Sequence, residues 1–330
     1  MQNNPFIVAE ISSNHLGDYG NAVSLVEAAK NAGADAVKFQ VYKPSDIAAN
    51  VRIQSGPWEG MNYRALYKEG MTPENWLPDL FAFARSIGLV PFASPFSESA
   101  VEFLETLDCP IYKIASPEII HSPLIAAAAQ TGKPLIISTG MAELSEIYNA
   151  DSVARAHGAT DITFLHCISS YPANPEDFNL ETMHTLKKHN FRVGLSDHSF
   201  SPIAAICAVA LGATVIEKHL TLSRADGGSD AKFSLEPDEF RWLVDDCREA
   251  AKAMGTVQFG CRKSEESSFQ YRRSLWLKKN VKEGQVITEE DIAILRPNYG
   301  ANPACFGIFV GMKARRDMKA GEPLNQVDLQ

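Results

Sequence analysis

Residues 192–218, which read RVGLSDHSFSPIAAICAVALGATVIEK, decide the fold class of this chain. Two short runs that are typical of strands, 192–195 and 214–218, flank the apolar segment 202–211. That segment opens with a proline and is followed by a glycine, and these residues are common at the start and just after the end of a helix. The order strand, helix, strand predicts two parallel strands joined by a crossover helix.

The same alternation runs outward from this stretch over most of the chain. It predicts strands at 6–11, 36–41, 89–93, 111–114, 134–138, 162–166, 192–195 and 214–218. It predicts helices at 20–32, 73–87, 98–106, 122–130, 144–157, 180–189, 202–211 and 237–253. Eight such units in about 255 residues are the number and size of a closed (β/α)8 barrel, the TIM barrel. A doubly wound open sheet is the alternative, but no glycine-rich nucleotide-binding turn follows the first strand.

The pattern changes after Gly260. Residues 261–273 are polar and charged, as in a linker, and short strand-like pieces follow them. We therefore predict a barrel domain at 1–262, a linker at 263–273 and a small, mostly β domain at 274–330.

The small domain is a series of short strands and turns. Strand-like pieces occur at 274–277, 293–295 and 308–310. The segments VKEGQVITEEDI (281–292) and MKAGEPLNQVDL (318–329) space their glycine, aliphatic and acidic residues alike. The two halves of the domain therefore look alike in sequence.

Composition excludes several classes of function. The chain has 330 residues and a formal net charge of −9, which argues against a broad nucleic-acid-binding surface. No run of about 18 apolar residues occurs, so we expect no membrane span. The first residues, MQNNPFIVAEISSN, lack the basic and apolar regions of a signal peptide, and we expect a cytoplasmic protein.

Polar residues cluster where the predicted strands end. In a barrel enzyme the chemistry lies at the carboxyl ends of the strands and in the loops that follow. Charged side chains there are costly to bury unless they are paired or bind a ligand. The polar residues at these ends are Glu10, Lys38, Gln40, Ser94, Lys113, Ser116, Glu118, Ser138, Thr139, Tyr171, Ser196, His198, Glu217 and His219. The sequence therefore predicts a polar, ligand-filled barrel mouth.

Two histidines suggest a metal site. His198 and His219 leave adjacent strands at the same rim, so their rings can converge. Two neutral imidazoles with carboxylate or water oxygens suit Mn²⁺, Co²⁺ or Zn²⁺. The alternative is a pair of structural histidines. We expect the loop and helix histidines to lie at the surface, namely His15, His121, His157, His184 and His189.

Two lysines suggest an anion pocket. Lys38 and Lys113 lie on strands, and their ammonium groups could neutralise phosphate or carboxylate charge. Hydroxyls and turn amides close to them would complete the hydrogen bonds, and the candidates are Ser94, Ser116, Ser138 and Thr139. Each lysine could equally pair with a barrel glutamate, and the two interpretations are compatible. A Schiff-base lysine is a further alternative.

The long stretch 43–72 after the second strand is rich in glycine, tryptophan and tyrosine. A loop of this length in a barrel is usually a lid or a binding loop. A packing collar is the alternative.

At these residues the chain resembles the sialic acid synthase family. The resemblance covers nearly the whole chain and rests on segments such as VAEISSNHLGD, AGADAVKFQVY, YKIASPEI, GLSDHS and ALGATVIEKHLTL. The tail segments LRPNYG and GMKARRDMKAGEPL look like the antifreeze-like (SAF) domain, a β-clip fold, that ends these synthases. Within the family, GPWEGMNYRALYKEGMTP, SSYPA and SRADGGSDAKFSLEP are most like the pseudaminic acid synthase branch.

The resemblance implies a reaction and its ligands. It implies that phosphoenolpyruvate is joined to 2,4-diacetamido-2,4,6-trideoxy-altrose, with Mn²⁺, or alternatively Mg²⁺ or Co²⁺, held by His198 and His219. It implies that phosphoenolpyruvate is bound by Lys38, Lys113, Ser116, Ser138 and Ser196. N-acetylneuraminate and legionaminate synthases are the nearest alternatives, and a pyruvate aldolase is a more distant one. A sugar-binding protein built on an inactive barrel is a non-enzymatic alternative.

The resemblance also implies roles around the sugar. Gln40, Glu118, Tyr171 and Asp230 would surround the reacting carbons and the sugar. Glu10 or Glu118 would activate water. Arg296, in LRPNYG, would reach the sugar across a domain-swapped homodimer.

Overall fold

The computed structural model describes residues 4–55 and 59–330. The chain divides into two compact units, Met1–Gly255 and Thr256–Gln330. Residues 56–58, which belong to one of the segments that resemble the pseudaminic acid synthase branch, lie outside the described residues.

The first unit is a closed barrel of parallel strands. The strands are β1 Phe6–Glu10, β2 Ala36–Val41, β3 Val90–Pro95, β4 Tyr112–Ile114, β5 Leu135–Ser138, β6 Ile162–Cys167, β7 Arg192–Asp197 and β8 Val215–His219. Each strand pairs with the next in the chain, and β8 closes the ring against β1 with His219 opposite Glu10. This closure confirms the predicted (β/α)8 barrel. Nearly every strand residue is buried, as in parallel strands covered by helices, but several of the buried side chains are polar or charged.

Helices surround the barrel. The helices of this unit are α1 Tyr19–Asn31, α2 Pro44–Ile47, α3 Tyr63–Gly70, α4 Leu77–Ser86, α5 Glu98–Glu105, α6 Ser122–Gln130, α7 Leu144–Ala156, α8 Thr182–Lys188, α9 Ile203–Ala210 and α10 Pro237–Met254. Capping residues set several of these starts, since Asp18 accepts a hydrogen bond from the Asn21 amide and Ser97 from the Ala100 amide. Among the described residues, no helix is long and apolar enough to cross a lipid bilayer.

The predicted helix 73–87 and the loop 43–72 differ from expectation. The helix begins with a 3-10 turn at Glu74–Trp76 before α4. The loop carries α2 and α3, and an antiparallel bridge joins Arg52 to Asn62. The Asn62 side chain caps α3 by accepting a hydrogen bond from the Ala65 amide. The helix α3 was not predicted because this short segment lacks a long series of apolar residues at helical spacing.

Alternation along β7 and β8 positions the polar residues. Successive side chains of a strand point to opposite faces, so Glu217 and His219 share one face of β8 while Lys218 points to the other. Glu217 contacts lysines of β2 and β4 inside the barrel, whereas Lys218 pairs with Asp197 of β7. The inner face of β8 therefore supplies residues to the barrel mouth.

The second unit is built around a small antiparallel sheet. Its strands are β9 Ser274–Leu277 and β10 Ile292–Leu295, and its helices are α11 Glu266–Phe269 and α12 Phe306–Phe309. The predicted strand 308–310 is wrong, because residues 306–309 are helical. The buried Phe309 and the exposed Ile308 are neighbours, and Cys305, Phe306, Phe309 and Val310 all face the core with helical spacing.

The two similar segments of the tail adopt the same local structure. Gly284 and Gly321 both have positive φ, and capping boxes follow at Thr288–Asp291 and Asn325–Asp328. The segments meet at an antiparallel bridge between Val281 and Met318. This internal repeat lets a short chain bury a core of its own.

Candidate active site

Two lysines and two glutamates form a buried charge network inside the barrel. The Glu217 Oε1 atom lies 3.4 Å from Lys38 Nζ and 3.6 Å from Lys113 Nζ. Lys38 also forms an ion pair with Glu10, whose Oε1 accepts a hydrogen bond from the Ser12 amide at 2.6 Å. All four side chains are buried. Buried charges need such partners, so the pairing of each lysine with a barrel glutamate is confirmed.

The two lysines differ in how well their charge is balanced. Burial opposes the charged form of Lys38, but Glu10 and Glu217 outweigh it and raise the pKa of Lys38. Burial lowers the pKa of Lys113, and Glu217 only partly offsets that effect. Burial alone would raise the pKa of Glu217, but the two lysines outweigh burial and lower that pKa. Of the two lysines, Lys113 would therefore gain more electrostatic stabilisation from a bound anion.

Hydroxyl groups line the same region, but not all of them are free. Ser94 accepts a hydrogen bond from Lys38 Nζ at 3.2 Å, and Ser196 donates one to Glu217 at 3.2 Å. Ser138 Oγ is buried and has no hydrogen-bond partner among the described residues. Thr139 donates its hydroxyl hydrogen to the Leu165 carbonyl at 3.1 Å. Ser138 is therefore available to a ligand, whereas Thr139 already has a backbone partner.

Ser116 lies against the glycine that follows Thr139. Its Oγ accepts a hydrogen bond from the Gly140 amide at 3.0 Å. A Cβ atom at residue 140 would lie 2.7 Å from Ser116 Oγ and 2.2 Å from Ser169 Oγ. Only glycine lets the backbone approach these hydroxyls so closely.

His198 and His219 converge, as their strand positions predict. Their ring centroids lie 5.3 Å apart. The Nδ1 atom of His198 lies 2.9 Å from the Ile168 carbonyl, a bond that would leave Nε2 unprotonated and free to bind a metal. In the part of the chain that the structure describes, His219 Nδ1 is buried and has no hydrogen-bond partner, and burial holds the pKa of His219 well below 6.5.

The donor set fits a divalent ion with an open coordination sphere. Burial keeps the His219 ring neutral, as metal binding requires, whereas at His198 the contact with Cys167 outweighs burial and raises the pKa. Within residues 4–55 and 59–330, no group of three or more His, Cys, Asp or Glu side chains surrounds a common point. The remaining ligands of an ion at this pair would therefore be oxygens of water or substrate.

Glu118, Gln40 and Asp230 border the same mouth. Glu118 follows β4, and its buried Oε2 has no hydrogen-bond partner within residues 4–55 and 59–330. Burial raises the pKa of Glu118 to about 7. Gln40 Nε2 donates to Ser12 Oγ at 3.0 Å, and Ser12 in turn donates to Asp230. Ser12 thus links two residues that the sequence places far apart.

Models of two known families match the chain. The NeuB family matches residues 25–259, and the SAF domain matches residues 272–330. The chain belongs to the NeuB family.

Relatives of this NeuB protein are similar along nearly the whole chain. The pseudaminic acid synthase of Campylobacter jejuni is 39% identical over 98% of this chain and 96% of its own length. The pseudaminic acid synthase of Helicobacter pylori is 39% identical over 99% of this chain and 98% of its own length. A solved N-acetylneuraminic acid synthetase of Leptospira borgpetersenii, in complex with citrate, is 34% identical with a TM-score of 0.73, over 82% of this chain and 92% of that chain. These findings confirm the predicted family and its SAF domain.

Phe233 and Cys167 also lie at the candidate site but were not singled out from the sequence. The Phe233 ring lies 5.0 Å from the His219 ring and 4.8 Å from the Tyr171 ring, and Tyr171 lies 4.3 Å from His198. Cys167 Sγ lies 3.9 Å from His198 Nδ1. Cys167 directly follows His166 on the sixth strand, which is the signal that could have found it.

Two further predicted residues are His15, in the loop after β1, and Arg296, in the second unit. His15 is fully buried, so its predicted surface position is wrong. Its ring lies 5.5 Å from the Trp76 ring and its Nε2 atom 3.2 Å from Thr72 Oγ1, because the loop after β1 turns it inward. Arg296 is exposed and directly follows β10 in the second unit.

Proposed function

We propose that this protein is a pseudaminic acid synthase. It condenses phosphoenolpyruvate with 2,4-diacetamido-2,4,6-trideoxy-altrose and water, and it releases phosphate and a nine-carbon 3-deoxy-2-keto sugar acid. One observation carries the proposal: a buried, incompletely balanced lysine, Lys113, lies in the same barrel mouth as the converging His198 and His219. The pseudaminic acid synthases that are 39% identical to the chain support this choice of sugar.

Phosphoenolpyruvate would bind at the lysines. Its carboxylate and phosphate carry negative charge that Lys113 and Lys38 can neutralise. Ser138 would offer its hydroxyl, Ser94 and Ser196 contact Lys38 and Glu217, and Ser116 contacts the Gly140 amide after β5. The charged lysines would also offset the charge that develops on the departing phosphate.

The sugar would bind at the histidine side of the mouth. A divalent ion held by His198 and His219, most simply Mn²⁺, would polarise the open-chain sugar aldehyde. Gln40, Asp230 and Tyr171 would orient the sugar chain, and Phe233 would exclude water from one face of the histidines. This arrangement brings the aldehyde carbon towards C3 of phosphoenolpyruvate.

The bond changes follow from these positions. The C2–C3 double bond of phosphoenolpyruvate supplies the electron pair for the new bond between C3 and the aldehyde carbon. The aldehyde oxygen gains a proton, and C2 becomes an oxocarbenium ion. Water adds to C2, and the resulting tetrahedral centre breaks its bond to the phosphate oxygen. The products are a 2-keto acid and inorganic phosphate.

Glu118 is the better placed of the two carboxylates to take the proton from water. Glu10 is occupied by Lys38 and by the Ser12 amide. Glu118 has a buried oxygen that no described residue hydrogen-bonds and a pKa raised by burial to about 7, which suits a general base near neutral pH. Glu10 then serves to hold Lys38 charged.

The family resemblance supports two further parts of the proposal. The protein would act in the cytoplasm as a domain-swapped homodimer, and Arg296 would contribute a cation to sugar binding. Mixing Arg296→Ala chains with chains that are inactive in the barrel tests this arrangement. Recovered activity in the mixture supports it, and an inactive mixture of stable heterodimers contradicts it.

The test of function is phosphate release from phosphoenolpyruvate with Mn²⁺ and different sugars. The proposal predicts release with 2,4-diacetamido-2,4,6-trideoxy-altrose but not with N-acetylmannosamine. Release with N-acetylmannosamine alone would favour an N-acetylneuraminate synthase, and release with the legionaminate precursor alone would favour that synthase. Product formed from pyruvate without phosphoenolpyruvate would favour an aldolase.

A further inference from the structure

A cavity of about 600 Å³ opens beside the sugar-binding residues of the barrel unit. It lies among the loop after β1, the segment that contains α3, and the loop after β8. Its lining includes three apolar and four polar side chains, those of Leu16, Met61, Leu66, Ser13, Ser229, Glu69 and Asp226. The proposed reaction steps use none of these residues.

Two hydrogen bonds join the cavity to the reaction site. Ser12 donates to Asp230, and the residue after Ser12 contacts the residue before Asp230, with Ser13 Oγ 2.7 Å from Ser229 Oγ. Ser12 and Asp230 border the barrel mouth, whereas Ser13 and Ser229 line the cavity. A sugar chain held by Asp230 can therefore extend directly into this space.

The apolar part of the lining has solvent-exposed side chains. Leu16 is 40% exposed and Met61 is 41% exposed. Gly228 allows Leu16 to approach, since it has a φ of +101° and a Cβ there would lie 2.6 Å from Leu16 Cδ2. Apolar side chains grouped around a cavity next to a polar site form a surface that a partly apolar ligand can cover.

We propose that this cavity is the specificity pocket for the far end of the sugar, the part that carries the 4-acetamido group and the C6 methyl group. The inference rests on the proposed function. Leu16, Met61 and Leu66 contact the methyl groups, and the hydroxyls of Ser13 and Ser229 bind the amide. A sugar with hydroxyls at C4 and C6 gains less binding free energy from these apolar side chains, because its polar groups would lie against apolar carbon.

The size of the effect follows from the chemistry of such pockets. One methyl or methylene group in an apolar pocket changes kcat/KM by about 10–200-fold. We therefore expect the enzyme to prefer the 4-acetamido sugar over the analogue with a 4-hydroxyl group by about tenfold or more. We attribute this preference to contacts in the pocket, because the two sugars differ at C4 and not at the reacting aldehyde.

The experiment compares kcat/KM for these two sugars in Met61→Ser, Leu66→Ser and the unaltered protein. The serine variants should lose most of the preference while the KM for phosphoenolpyruvate stays unchanged. Met254→Ser is the matched control, because Met254 is 45% exposed at the end of α10. Met61→Leu and Leu66→Met should retain the preference and show that an apolar side chain suffices.

The outcomes separate this inference from the proposed function. An unaltered protein that consumes neither sugar would contradict both the specificity pocket and the proposed function. An unaltered protein that uses the 4-acetamido sugar, together with serine variants that keep its full preference, would overturn the pocket alone. Loss of activity towards both sugars to the same degree would also overturn it, because that result indicates a structural role.

Discussion

The Lys113 ammonium lies 3.6 Å from the Glu217 carboxylate, with the two side chains only 2% and 5% exposed. Lys38 approaches the same carboxylate oxygen at 3.4 Å. Glu217 thus holds both cations in place before any anion arrives. Preorganised charge of this kind needs little rearrangement when an anion binds.

Replacing Lys113 should remove most of the binding of phosphoenolpyruvate. Lys113→Met keeps an unbranched side chain but removes the charge, and we expect kcat/KM for phosphoenolpyruvate to fall by about 10²–10³. Steady-state phosphate release measures this. Lys133→Met is the control, because Lys133 pairs with Glu105 at 2.6 Å in a more exposed position. Normal kcat/KM in Lys113→Met would contradict the anion site.

Glu118 should give the reaction a pH dependence. Burial raises its pKa to about 7, so the carboxylate becomes ionised only as the pH rises through that value. If Glu118 takes a proton from water, kcat should increase with pH through about 7 and then level off. Glu118→Gln should lower kcat by about 10²–10⁴ and abolish that rise. A rise that persists in the glutamine variant would transfer the role to another group.

The metal site should depend on His219. His219→Ala removes one of the two imidazoles, and we expect Mn²⁺ binding measured by calorimetry to weaken sharply and activity to vanish. His184→Ala is the control, because His184 lies exposed on α8. Chelation of the unaltered protein should also abolish phosphate release. Full turnover by His219→Ala in the presence of excess chelator would rule out a metal at this pair.

The ion pair behind the histidines should stabilise the fold. Lys218 Nζ lies 2.7 Å from Asp197 Oδ2, and both side chains are fully buried. Lys218 directly precedes His219, and Asp197 directly precedes His198. Lys218→Met leaves Asp197 as an unpaired buried charge and should lower the free energy of unfolding by about 3–5 kcal/mol. Urea denaturation measures this.

A double variant is the control for that ion pair. Lys218→Met combined with Asp197→Leu removes both charges and should recover much of the stability. Removing the exposed Lys282, which pairs with Asp317 at 2.7 Å, should have little effect. A Lys218→Met protein as stable as the unaltered chain would contradict the assignment.

The sequence predicted what depends on local pattern and on barrel symmetry. The alternation of strands and helices predicted the barrel, and the rule that chemistry lies at strand ends drew attention to His198 and His219. Neither could predict that Lys38 and Lys113 share Glu217, because all eight strands must close into a ring before these residues of β2, β4 and β8 meet.

Other features escaped prediction because they depend on tertiary contacts. His15 reads as a loop residue, yet the loop after β1 turns it against Trp76. Phe233 lies in an irregular segment after β8, and nothing in its local sequence indicates that it packs on both histidines. The predicted strand 308–310 is an apolar run too short for its period to separate a strand from a helix.

The central claim is that C3 of phosphoenolpyruvate adds to the sugar aldehyde and that phosphate then leaves by cleavage of its bond to C2. Phosphoenolpyruvate labelled with ¹⁸O in the oxygen between C2 and phosphorus tests it, with 2,4-diacetamido-2,4,6-trideoxy-altrose and Mn²⁺ present and both products weighed by mass spectrometry. The account predicts a nine-carbon keto acid without label and phosphate that carries all of it. Label retained in the keto acid, or pyruvate formed with no nine-carbon product, would contradict it.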